Sequence, residues 1–443
     1  MNWRAQLGSA LLNLGLLAPG LFCTTPAAAQ SAQSQTKSQT KASTKHPSAS
    51  ELLLRDAEQA LEQKDFSTAA DLYAKFIADH PAEAFAHFQL AYAFTALKHH
   101  DQAMAEYRRA IELDSRMGAA YLNLGLLLLE KDPAGAAPLL SKAIELLPAK
   151  ADPFYFSGVA LERSGNLAAA AERYRQAAKL DPSKWEYKIA LARSLLADKH
   201  AVEAEPEFRQ ALAIRPDDPS AQLGLAQSLI SQQKLPEAVE ALNAYLKSAP
   251  DDVETRVQLA SVYADMEHFD EAVKELERVP AGASSSPEMD GLRVDLLLRG
   301  KHYAESVEPL RRLVARAPND AAAHARLGRV LLQLRDFPGA QQELAAALRL
   351  DPSLNDALRD LSSTYFLAEN YPATLAVMDE LAKREPPGAG QWFLRAICYD
   401  KLRRKPQALE AYQKFLELNN GVQSDQEFQA RQRVRIIRLE LTK

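Results

Sequence analysis

Cysteine is nearly absent: the 443 residues hold two, Cys23 and Cys398. An internal disulfide framework is therefore excluded once the N-terminal segment is set aside, and stability has to come from packing. The chain also lacks a glycine-rich phosphate loop, an H-E-x-x-H pair, a G-x-S-x-G elbow and a Cys-x-x-Cys pair, so no familiar catalytic, cofactor or metal constellation is legible. Nine histidines are scattered, and the one cluster, His99-His100, has no metal-ligand spacing. Neither charge sign dominates. With 53 Lys and Arg against 58 Asp and Glu the formal net charge is -5, which gives nucleic acid no electrostatic footprint. No segment alternates apolar and polar residues between turns, so strands are not expected and the class is all-α.

What the chain does contain is a period. Small residues recur at Ala57, Ala91, Gly125, Gly158, Ala192, Ala226 and Ala260, then at Gly328 and Ala396, in steps of 34 residues or twice that, with one of 33. Ala69, Ala103, Ala136, Ala170, Ala204, Ala238, Ala272, Ala340 and Ala408 keep the same phase. So do Pro81, Pro148, Pro182, Pro216, Pro250, Pro318, Pro352 and Pro386. Each proline closes an apolar helical run, because it cannot donate an intrahelical hydrogen bond. In the fourth unit Phe154, Gly158 and Leu161 lie on a first helix, Gly165-Asn166 turn the chain, and Ala170, Tyr174 and Ala177 lie on a second. Small residues sit where the two helices cross. Eleven units follow, beginning near Ser50, Ala84, Gly118, Ala151, Trp185, Pro219, Val253, Pro287, Ala321, Asn355 and Ala389.

These registers resemble the tetratricopeptide repeat. The resemblance covers roughly residues 50 to 422 and implies a right-handed superhelical solenoid of about eleven helix-turn-helix repeats, with first helices lining a concave groove. It further implies that the second, fifth, ninth and twelfth residues of each unit face that groove. Phe85, Phe88, Tyr92, Leu122, Leu126, Tyr155 and Val159 would then form an apolar, aromatic wall for a protein or peptide, with Asn123 beside them. The alternative is that these side chains are core. Glu186, Arg193, Asp356, Arg359 and Ser363 make the later units more polar there. Members that grip a C-terminal carboxylate do so with lysines, asparagines and an arginine; here only Asn123 matches, while Phe88, Tyr92, Asp152 and Phe156 replace the rest.

The ends differ from the middle. Arg4, the apolar stretch Leu7 to Phe22 and Ala27-Ala28-Ala29 read as a signal peptide over residues 1–29, since the run is short of the roughly 20 residues a membrane span needs. Export to the periplasm or beyond follows as an expectation. The residue before Cys23 is Phe22, not the small residue a lipid-attachment site carries, so a lipid anchor is disfavoured. Residues 30–50, built of Gln, Ser, Thr, Ala and Lys, read as a linker with too few apolar groups to order. Residues 51–422 are assigned to the solenoid, with a joint at 279–290, where Val279 to Pro287 interrupts a second helix and where Val294, Ser306 and Gly291 weaken the eighth unit. Pro138, Pro206 and Pro309 fall early in second helices, where a missing donor matters least. Residues 423–443 form an amphipathic cap: Ser424 and Glu427 make a capping box, Ala430, Val434, Ile437 and Leu441 one face, and Arg431, Arg433, Arg435 and Arg438 the other. The expected function is a non-catalytic scaffold without cofactor or metal, binding a protein or peptide. The alternative is an accessory subunit of a polysaccharide export or envelope-assembly machine, which leaves glycan as a second kind of partner; nucleic acid and a membrane span in the mature chain are not expected.

Overall fold

The computed structural model describes residues 48–280, 282, 286–419 and 424–442, and within them every regular element is an α-helix. Two compact units divide at Ser248/Ala249. Residues 1–29, read from sequence as a signal peptide, and most of the stretch read as a linker lie outside the described residues.

The first unit holds α1 (Ala49–Glu62), α2 (Phe66–Asp79), α3 (Ala84–Ala96), α4 (His100–Leu113), α5 (Gly118–Leu128), α6 (Pro133–Leu146), α7 (Ala151–Arg163), α8 (Leu167–Leu180), α9 (Trp185–Ala197), α10 (Ala201–Ile214), α11 (Pro219–Ser231) and α12 (Leu235–Ser248). These are six hairpins, repeats 1 to 6. The second unit holds repeats 7 to 11: α13 (Val253–Asp265), α14 (Phe269–Glu277), α15 (Pro287–Arg299), α16 (Tyr303–Arg316), α17 (Ala321–Gln333), α18 (Phe337–Leu350), α19 (Asn355–Leu367), α20 (Tyr371–Ala382), α21 (Ala389–Lys401) and α22 (Lys405–Leu418). It ends on the single helix α23 (Ser424–Leu441). Ten first helices begin at the residues expected from the phase. The first begins at Ala49, one residue early and inside the stretch assigned to the linker, because Ser48 and Glu51 form a capping box there.

Within each unit the extensive packing joins helices consecutive in the chain. The two small-residue registers explain it: Ala57, Ala91, Ala192, Ala226, Ala260 and Ala396 on first helices, and all nine alanines of the second register, are fully buried. Gly158 shows why size matters, since a Cβ there would sit 2.6 Å from the Tyr174 ring. The missing methyl lets the hairpin close. Pro138, Pro206 and Pro309 are accommodated inside α6, α10 and α16.

Ten of the eleven hairpin turns share one geometry, repeat 3 being the exception. Lys64, Lys98, Gly165, Lys199, Gln233, Glu267, Lys301, Arg335, Glu369 and Arg403 all have positive φ, and the next residue's N–H reaches back to the preceding helix, as from Asp65 to Ala60 O at 2.9 Å. This is the Schellman closure of a helix. The proline register has a second use as well. His87 Nε2 meets Pro81 O at 3.2 Å and its Nδ1 meets Glu106 Oε2 at 2.6 Å. His324 repeats both contacts with Pro318 and Glu343, and Arg256 does so with Pro250 and Glu275. Gln222 donates to Pro216 O at 2.9 Å. A polar side chain on the first helix thus ties down the loop that leads into it, satisfying a carbonyl that proline leaves without helical partners.

The compact units divide at Ser248/Ala249, whereas Val279 is buried in the second unit against Leu276, Met289 and Leu296. Leu441, placed on the inward face of the cap, is 45% exposed, while Ala430, Val434 and Ile437 are buried as expected. Glu427 accepts from Asn419 at 2.9 Å and pairs with Arg431 at 2.7 Å; the Ser424 side chain lies outside the described residues.

Candidate functional site

The aromatic wall expected in repeats 2 to 4 is mostly interior. Phe88 and Tyr92 are 6% exposed, Leu122 and Leu126 at most 2%, and Asn123 is fully buried, leaving Phe85, Tyr155 and Val159 half-buried. The reason is packing within each hairpin and across the seam to the next. Phe88 packs on Tyr107 with ring centroids 5.7 Å apart, and Tyr92 meets Phe66 edge-on at 6.2 Å. Leu122 and Leu126 share a cluster with Leu129, Leu140 and Phe156. Asn123 donates from Nδ2 to the Tyr107 hydroxyl at 3.1 Å, a bond that keeps it inside the fold and away from any carboxylate clamp.

What the first-helix face of the first unit does offer is centred on Tyr155, in repeats 4 and 5. Its ring lies 5.0 Å from Tyr187, 5.6 Å from Tyr174 and 5.1 Å from Phe156. Carboxylates from α7 and α9 surround this stack. The Tyr174 hydroxyl donates to Glu162 Oε2 at 2.6 Å, and the Tyr187 hydroxyl to Asp152 Oδ1 at 2.5 Å. Glu186 Oε2 is buried without a hydrogen-bond partner among the described residues. One cation approaches, Arg193, 3.8 Å from Glu162 and half exposed.

Electrostatics records the crowding. Burial first, then the negative charges of Glu186 and Glu162, push the Tyr155 hydroxyl up to about 12, with Arg193 opposing and Asp152 adding. Tyr174 and Tyr187 are also raised, by burial first and then by the carboxylates they donate to. All three phenols are therefore donors at any ordinary pH, and three acids face one arginine. Nothing in this arrangement pairs a nucleophile with a base. It can receive a positive charge.

The equivalent face of the second unit is already neutralised. Arg326 pairs with Asp295, Arg329 with Asp360 at 2.7 Å, and Arg359 with Glu385 at 2.6 Å. The polarity expected of Asp356, Arg359 and Ser363 is present, yet it is spent locally: Arg359 binds Glu385 of the following loop and Asp356 of its own helix, and Ser363 donates to Arg359 O at 2.9 Å. Glu162, Asp152 and Tyr155 were legible as groove positions. Tyr174 and Tyr187 were not, and the available signal was three tyrosines within 33 residues, each with an acid nearby.

Cys398 is fully buried, which raises its thiol to about 11. His99 and His100 are exposed at the start of α4, and among the described residues no group of three His, Cys, Asp or Glu could hold a metal ion. No helix of the described residues is long and apolar enough to cross a membrane.

Three family models, each described as a tetratricopeptide repeat, match residues 54–117, 155–219, 195–254, 229–296, 325–389 and 392–419. Among curated proteins, 89 residues are 33% identical to Hsp70-Hsp90 organizing protein 1 of Glycine max, covering 20% of this chain and 16% of that protein. A stretch of 99 residues is 29% identical to Hsp70-Hsp90 organizing protein 2 of Arabidopsis thaliana, covering 22% and 17%. The matched stretch thus spans about a sixth of the length of those relatives. Among solved structures, YrrB, described as a protein of this repeat type with an unusual peptide-binding site, superposes with a TM-score of 0.40 at 22% identity over 42% of this chain and 97% of its own. Yeast Tom70 does so with a TM-score of 0.31 at 13% identity over 89% and 96%.

Proposed function

The chain belongs to the tetratricopeptide repeat family, and on that footing we propose that it is a non-catalytic scaffold of the cell envelope whose first-helix face binds a protein or peptide, with the acid-lined tyrosine cluster of repeats 4 and 5 receiving a basic side chain. The observation that carries this reading is the gathering of Asp152, Glu162 and Glu186 around Tyr155 with Arg193 as the one opposing charge. A lysine or arginine brought there relieves carboxylate repulsion in a half-buried setting where salt screens weakly, and it meets phenol faces as a cation. Relatives named for organizing Hsp70 and Hsp90 are in keeping with a protein partner.

A peptide array displaying lysine-, arginine- and glutamate-bearing segments against the whole chain tests the reading. Basic segments should bind, and Glu162→Gln with Glu186→Gln should weaken them about tenfold, the loss of roughly 1.4 kcal/mol. Stability should change little, because the amide introduced by Glu162→Gln keeps a carbonyl oxygen to accept from Tyr174. Equal capture of basic and acidic segments, or unchanged capture by the double variant, would sink it. The second reading, an accessory subunit of a polysaccharide export or envelope-assembly machine, draws on the same carboxylates as acceptors for sugar hydroxyls. Binding of an oligosaccharide ladder in place of peptide would favour it.

Placement in the envelope rests on Arg4, Leu7 to Phe22 and Ala27 to Ala29. N-terminal sequencing of the protein from its native host should find a start at or near Gln30. An intact Met1 in a soluble cytoplasmic fraction would overturn the placement and leave the binding site untouched.

A further inference from the structure

The last helix carries an outer face as distinctive as its inner one. Phe428 is 65% exposed and Leu439 59%, and at eleven residues apart they fall on one line along α23, about 16 Å from end to end. Arg435 lies between them on that line, with Arg438 beside it. Neither arginine has an acidic partner among the described residues, whereas Arg433 is held by Asp400 at 2.6 Å and Arg431 by Glu427 at 2.7 Å. Alongside runs a cavity of about 640 Å³ between α22 and α23, floored by Leu416 and Val434, with Glu417 as its one acid. The surrounding sequence is basic: from Ala389 to Lys443 there are eleven Lys and Arg against six Asp and Glu, in a chain whose formal net charge is -5.

Independently of the tyrosine cluster, we propose that this face docks an acidic amphipathic helix of a partner protein. Such a helix laid along α23 sets apolar residues over Phe428 and Leu439, and its flanking carboxylates reach Arg435 and Arg438, where arginine binds a carboxylate through two donors at once. Three helical turns match the span between the two apolar residues. Charge complementarity selects the partner's sign. An anionic bilayer fits less well, because Gln432 and Arg435 break the apolar line and Glu417 and Glu427 stand close to it.

The test uses the whole chain and a fluorescein-labelled synthetic helix bearing leucine at i, i+3, i+4 and i+7 with glutamate between, beside the same helix with lysine in place of glutamate. Fluorescence anisotropy should report binding of the acidic helix alone, weakened by added salt. Arg435→Glu with Arg438→Glu should reduce affinity at least about tenfold, Phe428→Ser with Leu439→Ser should abolish binding, and circular dichroism should be unchanged in both. Glu162→Gln with Glu186→Gln should leave it intact, which separates this site from the groove. Equal binding of the two helices, or an arginine variant that binds as well as the parent, overturns the proposal. So does adsorption to phosphatidylserine vesicles that the arginine variant loses while neither helix binds.

Discussion

Lysine, arginine, glutamine and glutamate occupy nine of the ten left-handed turn positions, with φ between 57° and 65°, and glycine occupies one, Gly165. An L side chain in that region costs about 1 kcal/mol or more, while glycine loses somewhat less through its freer unfolded chain. Lys199→Gly should therefore raise stability by about 0.5 kcal/mol, and Gly165→Ala should lower it by about 1 kcal/mol, both read from urea midpoints at constant m. A destabilised Lys199→Gly would show that the lysine stem contributes more than its backbone strain removes. Charge sets a second residue-scale expectation. Glu205 accepts from Lys234 at 2.6 Å and from Arg209 at 2.9 Å, and the Lys234 bond above all holds its carboxyl down at about 2, below its ordinary 4.5. Since the folded value is the lower one, this contribution is present above 4.5 and is lost as pH falls through about 2. Glu205→Gln should flatten that part of the acid limb of a stability-against-pH curve; an unaltered limb would remove Glu205 from the account. Neither the left-handed geometry of the non-glycine turns nor this carboxylate stood out in the sequence, because a lysine in a left-handed turn looks like any surface lysine and the i to i+29 contact needs the next repeat to exist.

Among the helices, α14 is the exception, nine residues where its counterparts α12 and α16 have fourteen. Val279, buried at 4%, and the N-cap bond from Met289 N to Ser286 Oγ at 3.1 Å hold the two sides of the break. Amides of residues 274–279 should exchange faster than those of α4 to α10, because a helix missing its last turn has less packing to lose on opening. Uniform protection across 250–320 would mean that the break is absorbed as an ordinary loop. Repeat 8 proves better tied than its composition suggests. Asp290, fully buried, takes three bonds from Arg312 and one from Arg316 at 2.8 Å, which lower its carboxyl against the opposing effect of burial. Helix starts were legible because the phase fixes them, with a preceding proline or a cap reinforcing it at many. The face was harder to read. Small residues at a fixed step say where two helices of a hairpin cross, but not that Phe88 and Leu122, a few residues away, are covered by the neighbouring hairpin.

For the whole chain, the all-α class and the hairpin count were legible from spacing alone, since one period repeated eleven times leaves little choice of local structure. The division into two units at Ser248/Ala249 was not, because the phase runs through it unbroken from Ala226 to Ala260. The same regularity reaches down to single atoms. Ser194 Oγ donates to Leu167 O at 2.9 Å, and Ser228 Oγ donates to Ala201 O at 2.6 Å, each across 27 residues. Thirty-four residues separate the two serines and likewise the two acceptors. Were the DNA encoding one such period lost or copied by unequal crossing-over, Ser228 would arrive opposite Leu167 with a carbonyl waiting at the same offset, and the join would find its bond already provided. A gene built this way can change the number of its repeats in a single recombination and leave the protein on either side of the scar chemically unaware of it.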